Sequence, residues 1–159
     1  MRKQILKSHP PISAPPRGDL DVAAIATVLV TSELAGHPVE NAFDNDRRPA
    51  GSRWVSETGG EQALILAFDV PLAIHTVGVE IEEPEESRTQ ELRLAVSHDG
   101  GQNYRELLRQ EFNFAPPGTT FEPEEWAISA EAATDLRLRI RPDKGGRLCR
   151  ASLTALVLR

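Results

Sequence analysis

The stretch that decides the fold is Val39-Glu-Asn-Ala-Phe-Asp-Asn-Asp46, followed after a short loop by Arg53-Trp-Val-Ser56. The apolar residues of its first half have the spacing of one helical turn packed against a core. Two acids follow that turn at once, and Trp54 is one of the chain's two tryptophans. The pattern predicts a helical turn, a tight polar loop and a buried aromatic side chain beside them.

The composition is that of a soluble globular protein. The chain has 159 residues, of which 40% are hydrophobic and 26% are charged, and its formal net charge is -6 at pH 7. A chain of this length is expected to form one domain and to bury roughly two-thirds of its unfolded surface. Because the charge balance is acidic, we do not expect the surface as a whole to bind nucleic acid.

Cysteine usage and the N-terminal residues bear on location. The single cysteine, Cys149, excludes an intrachain disulfide and is typical of a reducing compartment. We expect it to be a small structural residue, with a catalytic thiol as the alternative. The basic residues near the start are not followed by the roughly 7–15 apolar residues of a signal peptide, and no segment is long and apolar enough for a transmembrane helix. The expected location is therefore the cytoplasm, away from a membrane.

Alternating apolar and polar residues predict an all-β fold. In residues 136–141 the leucines and the isoleucine are predicted to point inward and the arginines outward. Asp99-Gly100 predicts a tight hairpin, because glycine adopts the positive φ that such a turn requires. We predict the first strand at 22–31. Residues 62–69 are predicted to form a strand buried on both faces, which ends at a break over 70–72.

Two motifs resemble those of a known family. Asn41-Ala-Phe-Asp-Asn-Asp46 with Ser52-Arg-Trp54 follows the order of an alanine-rich turn, an Asp-Gly-Asp loop and a Thr-x-Trp motif. Ser97-His-Asp-Gly-Gly-Gln-Asn-Tyr104 follows the order of a Ser-x-Asp-Gly-x-x-Trp hairpin. The chain thus resembles the coagulation factor 5/8 type C, or discoidin, domain, whose relatives include many bacterial carbohydrate-binding modules. The resemblance implies a galactose-binding-like jelly-roll β-sandwich of about eight antiparallel strands over residues 21–159, after a proline-rich N-terminal arm over residues 1–20.

The resemblance also implies a candidate Ca²⁺ site in the loop before Trp54. Its ligands would be the Asp44 side chain, the backbone around Ala42 and Asp46, and the Ser52 hydroxyl. The loop is longer than is usual in the family, and the glutamate expected near Ala155 in the last strand is missing. The alternative is that Asp44 and Asp46 tie the loop through hydrogen bonds to backbone amides.

A saccharide site is the second implication. Sugar-binding relatives use polar side chains in the loops at one end of the sandwich together with an aromatic platform. The matching candidates are Glu33, His37, Arg48 and Trp126. For Trp126 the alternative is a place in the strand core, and Trp54 is expected to be a core residue.

A basic strand face is the third candidate site. Arg137, Arg139, Arg141 and Lys144 lie on one face of the strand and in the turn that follows, and Arg147 and Arg150 come next. Such a face can meet phosphate or an acidic protein partner. The alternative is a solvated face balanced by the chain's many acids.

No combination of residues in the sequence points to catalysis. The histidines are scattered, and the acids of residues 82–86 lie in a polar loop that offers no burial to shift their pKa values. We therefore predict a non-catalytic, discoidin-type ligand-binding module, with a carbohydrate or protein as the candidate ligand. The alternative is a cytoplasmic protein-interaction or scaffold domain that uses the arginine-rich strand face or the proline-rich arm.

Overall fold

The structure is a computed structural model that describes residues 2–3, 18–44, 46 and 51–159. A short helix, α1, spans Val22–Ile25, and a 3₁₀ helix spans Val39–Phe43. The strands, in chain order, are β1 (Arg2–Lys3), β2 (Ala26–Val30), β3 (Trp54–Gly59), β4 (Gln62–Glu82), β5 (Arg88–Ser97), β6 (Arg105–Phe114), β7 (Phe121–Arg141), β8 (Arg150–Leu153) and β9 (Ala155–Leu158). The predicted all-β class is confirmed.

Most of these strands belong to one large sheet. Its order is β1-β2-β4-β7-β5-β6, β9 also pairs with β4, and β3 and β8 form a second, two-stranded sheet. The pairs are antiparallel apart from β1 with β2, where Arg2 and Lys3 lie beside Thr27 and Val28. Arg2 and Lys3 of the predicted N-terminal arm thus pair with the domain. Residues 1 and 4–17 of the arm lie outside the described residues.

Two long strands connect the layers of the sandwich. β4 and β7 have 21 residues each and pair with one another along both halves. The register between them shifts from Ala67 to Leu72, and Ala132 has a φ of 49°, a conformation that few residues other than glycine adopt. One half of the β4–β7 pair is flanked by β2 and β5, and the other half by β9. The pair therefore contributes to both layers of the predicted jelly-roll sandwich.

The core confirms two predictions made from side-chain patterns. Trp54 is 0% exposed, and its indole N–H donates to the Ser32 carbonyl oxygen at 3.0 Å. On β7, Leu136, Leu138 and Ile140 are buried, while the arginines between them remain at least partly exposed. Complete burial of one such aliphatic side chain stabilises the fold by about 1.5–3 kcal/mol.

The prediction of a first strand over 22–31 is wrong for its first four residues. These form α1, and the backbone becomes extended only at Ala26, where β2 begins. An apolar run of this length has no clear period, so a helical turn and a buried strand look alike in sequence.

The prediction for residues 62–72 is also wrong in two respects. Leu64 and Leu66 face the core while Ile65 is half-buried on the other side, so this part of β4 is fully buried on one face only. The expected break at 70–72 is a bend, because β4 resumes its pairing with β7 at Leu72. A proline within a strand is tolerated at such an irregularity.

The predicted hairpin joins β5 to β6 and is organised by Asp99. Gly100 has a φ of 74°, a conformation open to glycine. The Asp99 carboxylate accepts hydrogen bonds from the backbone N–H of Asn103 (2.9 Å), from its side-chain amide (2.8 Å) and from the Ser97 hydroxyl (2.7 Å). These bonds, the backbone bond of Asn103 foremost, lower the pKa of Asp99 to about 2.

We expect the hairpin to lose stability as the pH falls through the titration of Asp99. The pKa of this carboxyl is about 2 in the folded chain against an ordinary value of 3.8. Because the folded value is the lower one, the contribution is complete above the ordinary value and is lost as the carboxylate is protonated on the way down to the folded value. A carbon-13 NMR titration measures the folded pKa directly. A value at or above 3.8 would contradict the hydrogen-bond geometry, and Asp99→Asn should flatten the pH profile of stability.

Candidate functional site

The loop before β3 is held in place by residues on both sides of it. A Glu33 carboxylate oxygen accepts the N–H of Val39 at 3.0 Å, at the first residue of the 3₁₀ helix. The side-chain amide of Asn41 donates to the Arg53 carbonyl oxygen at 3.0 Å. Glu33, the acid predicted to bind a saccharide, therefore fixes the backbone at the start of the 39–46 stretch.

The structure brings the predicted Ca²⁺ ligands together in that loop. Asp44 accepts the N–H of Asp46 at 3.0 Å and the hydroxyl of Ser52, while Asp46 accepts the N–H of Ser52 at 3.4 Å. The carbonyl of Ala42 belongs to the adjoining 3₁₀ helix. Asp44 and Asp46 thus each accept a backbone N–H of the loop, as the alternative expects, and Asp44 also accepts the Ser52 hydroxyl.

The donor set fits a calcium ion only in part. Ca²⁺ takes about six to eight oxygens, and its affinity rises with the number of charged ligands. Asp44 and Asp46 supply two carboxylates, whereas the position where the family has a glutamate is Ala155, which is 4% exposed. Within the described ranges there is no cluster of three or more His, Cys, Asp or Glu able to hold a metal ion.

We expect added calcium to stabilise the protein very little. With a dissociation constant weaker than about 1 mM, about 1 mM Ca²⁺ contributes at most about 0.4 kcal/mol. That corresponds to a shift in Tm of about 1–2 °C for a domain of this size. Melting curves recorded with Ca²⁺ and with EDTA provide the measurement. A difference of about 5 °C or more would show that the loop binds the ion tightly after all.

A cavity of about 530 Å³ opens beside the two-stranded sheet, and we call it the β3–β8 cavity. Its lining residues come from the loop before the 3₁₀ helix, from β3, from the segment before β5 and from the start of β8. A Cβ atom at Gly59 would lie 2.9 Å from the carbonyl oxygen of Leu148, so this close approach requires glycine. The Leu148 side chain is 85% exposed at the cavity.

Arg88 fixes one side of the β3–β8 cavity. Its side chain is 2% exposed, one terminal nitrogen donates to the Arg150 carbonyl oxygen at 2.8 Å, and the other donates to Glu83 at 2.9 Å. Charge-assisted bonds of this kind are the stronger hydrogen bonds of a protein. Arg88 therefore ties the 83–88 segment to β8 and sets the shape of the cavity.

Arg53 presents a more accessible guanidinium to the same cavity. Its side chain is 25% exposed and lies 3.9 Å from a Glu82 carboxylate oxygen, and its Nε is buried without a hydrogen-bond partner among the described residues. His37 lines the cavity as well and is half-buried. Two donors of different geometry thus lie beside the exposed leucine.

The acids of the cavity belong to one loop, and its thiol is kept protonated. Glu83, Glu85 and Glu86 come from a single loop, whereas glycoside hydrolysis uses carboxyl groups that flank the scissile bond. Glu83 is engaged by Arg88 and also accepts the N–H of Glu86 at 2.8 Å. Burial raises the pKa of the Cys149 thiol, so this group stays protonated and is a poor nucleophile.

The structure describes three of the four predicted saccharide residues, and they do not all line the β3–β8 cavity. His37 lines the β3–β8 cavity, and Glu33 precedes the 3₁₀ helix in the same loop. Trp126 lies on β7 opposite Val77, partly buried against the core, and it does not line that cavity. Arg48 lies outside the described residues. The prediction of a shared ligand site for these residues stays a prediction.

The predicted basic face is divided by ion pairs. Lys144 binds Glu111 and lies 3.8 Å from Glu91, so its charge is largely compensated. Arg147 pairs with Asp143 at 2.7 Å. The remaining members, Arg137, Arg139 and Arg141, lie on the outer side of β7, and Arg150 lines the β3–β8 cavity.

Sequence reasoning missed the main residues of the cavity. Arg53 stands beside a tryptophan that drew attention to the core, Arg88 follows an acidic loop, and Leu148 lies in a glycine-rich turn. They are far apart in the chain, so only the pairing of β3 with β8 brings them together. The sequence did contain one signal. Leu148 follows Gly145 and Gly146 in a turn, where a core residue is not expected.

Within the part of the chain that the structure covers, no helix has the length and apolar character needed to span a membrane. A scan against models of protein families and a search of curated proteins both find no match to this sequence. Solved structures, however, share the arrangement of strands described above. The comparisons therefore bear on the fold, because proteins can keep a common fold after their sequences have diverged too far to match.

The similar structures are carbohydrate-binding modules. The module CBM32-3 from a family 31 glycoside hydrolase of Clostridium perfringens matches with a TM-score of 0.65 and 17% identity over 88% of this chain and 93% of that chain. The family 32 module of NanJ from C. perfringens, solved in complex with galactose, gives 0.62 and 12% over 88% and 96%. A further CBM32 module from C. perfringens, solved with GalNAc-β-1,3-galactose, gives 0.61 and 20% over 89% and 99%. At such identities the likeness establishes the fold alone: the chain has the discoidin-type, galactose-binding-like β-sandwich fold of the family 32 carbohydrate-binding modules.

Proposed function

We propose that the protein is a non-catalytic carbohydrate-binding module whose ligand occupies the β3–β8 cavity. The observation that carries the proposal is the combination of groups at this cavity. The guanidinium of Arg53 and the imidazole of His37 are donors for hydroxyl groups, and Leu148 offers an exposed apolar surface to the face of a sugar ring. A few precisely placed polar groups beside an apolar surface fix the orientation of a bound small molecule.

The solved structures support the same proposal independently of the cavity. Two of the modules that share the fold were solved with galactose or with a galactose-containing disaccharide. These sugars are therefore the first ligands to test. The alternative, a scaffold domain that uses the basic strand face, has less support because Lys144 and Arg147 are paired with acids.

A saccharide array with the intact protein tests the proposal. We expect binding of at least one saccharide, and we expect Arg53→Gln to weaken it by about tenfold or more, because a hydrogen bond from a charged donor contributes about 1.5–3 kcal/mol. Arg105→Gln is the matched control, since Arg105 is exposed at the start of β6 and does not line the cavity. It should leave the affinity unchanged. An array without any bound saccharide, or equal binding by Arg53→Gln, would refute the proposal, as would release of sugar products by the purified protein.

A further inference from the structure

The outer face of the large sheet carries a depression that the proposed saccharide site does not include. It has a volume of about 190 Å³ and is lined by Arg93, Ala95, Tyr104, Glu106, Arg137 and Arg139. These residues come from β5, β6, β7 and the hairpin next to them. We call it the outer-face depression.

The strand register explains why a depression forms at this point. Ala95 of β5 pairs with Arg137 of β7 on one side and with Glu106 of β6 on the other. In the adjacent row Arg93 pairs with Arg139. Cross-strand neighbours on one face lie about 4.5–5.5 Å apart, so a single small residue is surrounded by long side chains. Ala95 therefore forms the bottom of the depression, and the arginine side chains form its sides.

Two of the arginines have no acidic partner among the residues that the structure describes. Arg93 pairs with Glu61 at 3.0 Å and lies 3.8 Å from Glu91. Among the described residues no carboxylate lies within ion-pair distance of Arg137 or Arg139. The depression therefore carries positive charge on a chain whose net charge is -6.

Arg137 is held in place while its charge remains uncompensated. Its guanidinium carbon lies 4.1 Å from the centroid of the Tyr104 ring, and its Nε is buried with no hydrogen-bond partner in the described part of the chain. Burial and the neighbouring charge of Arg139 lower the pKa of Arg137. A negative group in the depression would favour the charged form of Arg137 and oppose this lowering of its pKa. A guanidinium stacked on a ring is also pre-organised, so little side-chain entropy is lost on binding.

We propose that the outer-face depression binds the carboxylate of an acidic saccharide through Arg137 and Arg139. The planar fork of a guanidinium matches a carboxylate with two parallel hydrogen bonds. Glu106 lines the depression, and Glu61 and Glu91 lie beside Arg93, so a ligand with one carboxylate fits better than a polyanion such as nucleic acid. This site lies apart from the β3–β8 cavity, and its contact with a carboxylate does not depend on that cavity, whereas the choice of a saccharide rests on the proposed function.

Calorimetric titration of the full chain with galacturonate, which carries one carboxylate, tests the inference. Removing one charged hydrogen-bonding partner should weaken binding by about tenfold or more, so we expect this loss in Arg137→Gln and in Arg139→Gln. Ala95→Leu should cause a similar loss while leaving every charge in place, because the larger side chain fills the depression. Arg105→Gln changes the net charge by the same amount and should bind like the wild type.

Titrations with other ligands distinguish a uronate from a neutral sugar and from an inorganic anion. The affinity for neutral galactose should be the same in Arg137→Gln and in the wild type, which distinguishes this site from the β3–β8 cavity. Inorganic phosphate and sulfate should compete weakly. The inference is overturned if galacturonate does not bind, if Arg105→Gln weakens its binding as much as Arg139→Gln does, if Ala95→Leu binds it normally, or if phosphate binds more tightly than galacturonate.

Discussion

Replacing Trp54 by alanine will lower the free energy of unfolding by about 3–5 kcal/mol, the usual cost of truncating a buried tryptophan. Trp54 is completely buried at the first residue of β3, and its indole N–H satisfies the Ser32 carbonyl oxygen at 3.0 Å. The substitution therefore leaves a cavity and an unpaired acceptor in the same place. For a domain of this size the loss corresponds to a fall in Tm of roughly 6–20 °C, measurable by thermal or urea denaturation.

The other tryptophan provides the control. Trp126 is only partly buried, although it packs against the core from β7. Trp126→Ala should therefore cost clearly less than Trp54→Ala, because less apolar surface returns to water. Equal losses of unfolding free energy in the two variants would contradict the role of Trp54 as the residue around which the loop before β3 is built.

The second large effect is expected at Arg88. Arg88→Met keeps the length of the side chain and removes the donors to the Arg150 carbonyl oxygen and to Glu83. Breaking a buried pair by removing one partner costs about 3–5 kcal/mol, and because Glu83 is 13% exposed we expect a loss at the lower end, about 3 kcal/mol. Urea denaturation gives the value.

A surface pair of the same chemistry is the control for Arg88. Arg109 and Glu106 lie 3.4 Å apart with both side chains about half exposed. Exposed pairs contribute about 0–1 kcal/mol, so Arg109→Met should be close to neutral. If Arg88→Met is equally neutral, Arg88 does not hold the wall of the β3–β8 cavity.

The fold was accessible from the sequence because its signals are local. The alternation in 136–141, the Asp99-Gly100 turn and the apolar turn before Trp54 each specify one element without reference to the rest of the chain. The errors fall where a local pattern is ambiguous. The four apolar residues of α1 suit a helix or a strand equally. The proline at 71 does not end β4, because the register of the pairing with β7 shifts at that point.

The candidate site was less accessible because its signals are not local. Arg53, Arg88 and Leu148 meet only after β3 has paired with β8 and the 83–88 segment has closed over them. The loop acids show the opposite case. Their identity suggested a ligand role, but Glu33 accepts the backbone N–H of Val39, a contact that only the three-dimensional path of the loop reveals.

The central claim is that the β3–β8 cavity holds a saccharide and leaves it unchanged. An amide NMR titration with the saccharide that binds on the array tests it most directly, since every backbone N–H reports on its own surroundings. We predict concentration-dependent shifts for His37, Arg53 and Leu148, with the saccharide signals unaltered after prolonged incubation. Shifts confined to the Trp126 surface, conversion of the saccharide, or a spectrum that it does not change would contradict the account.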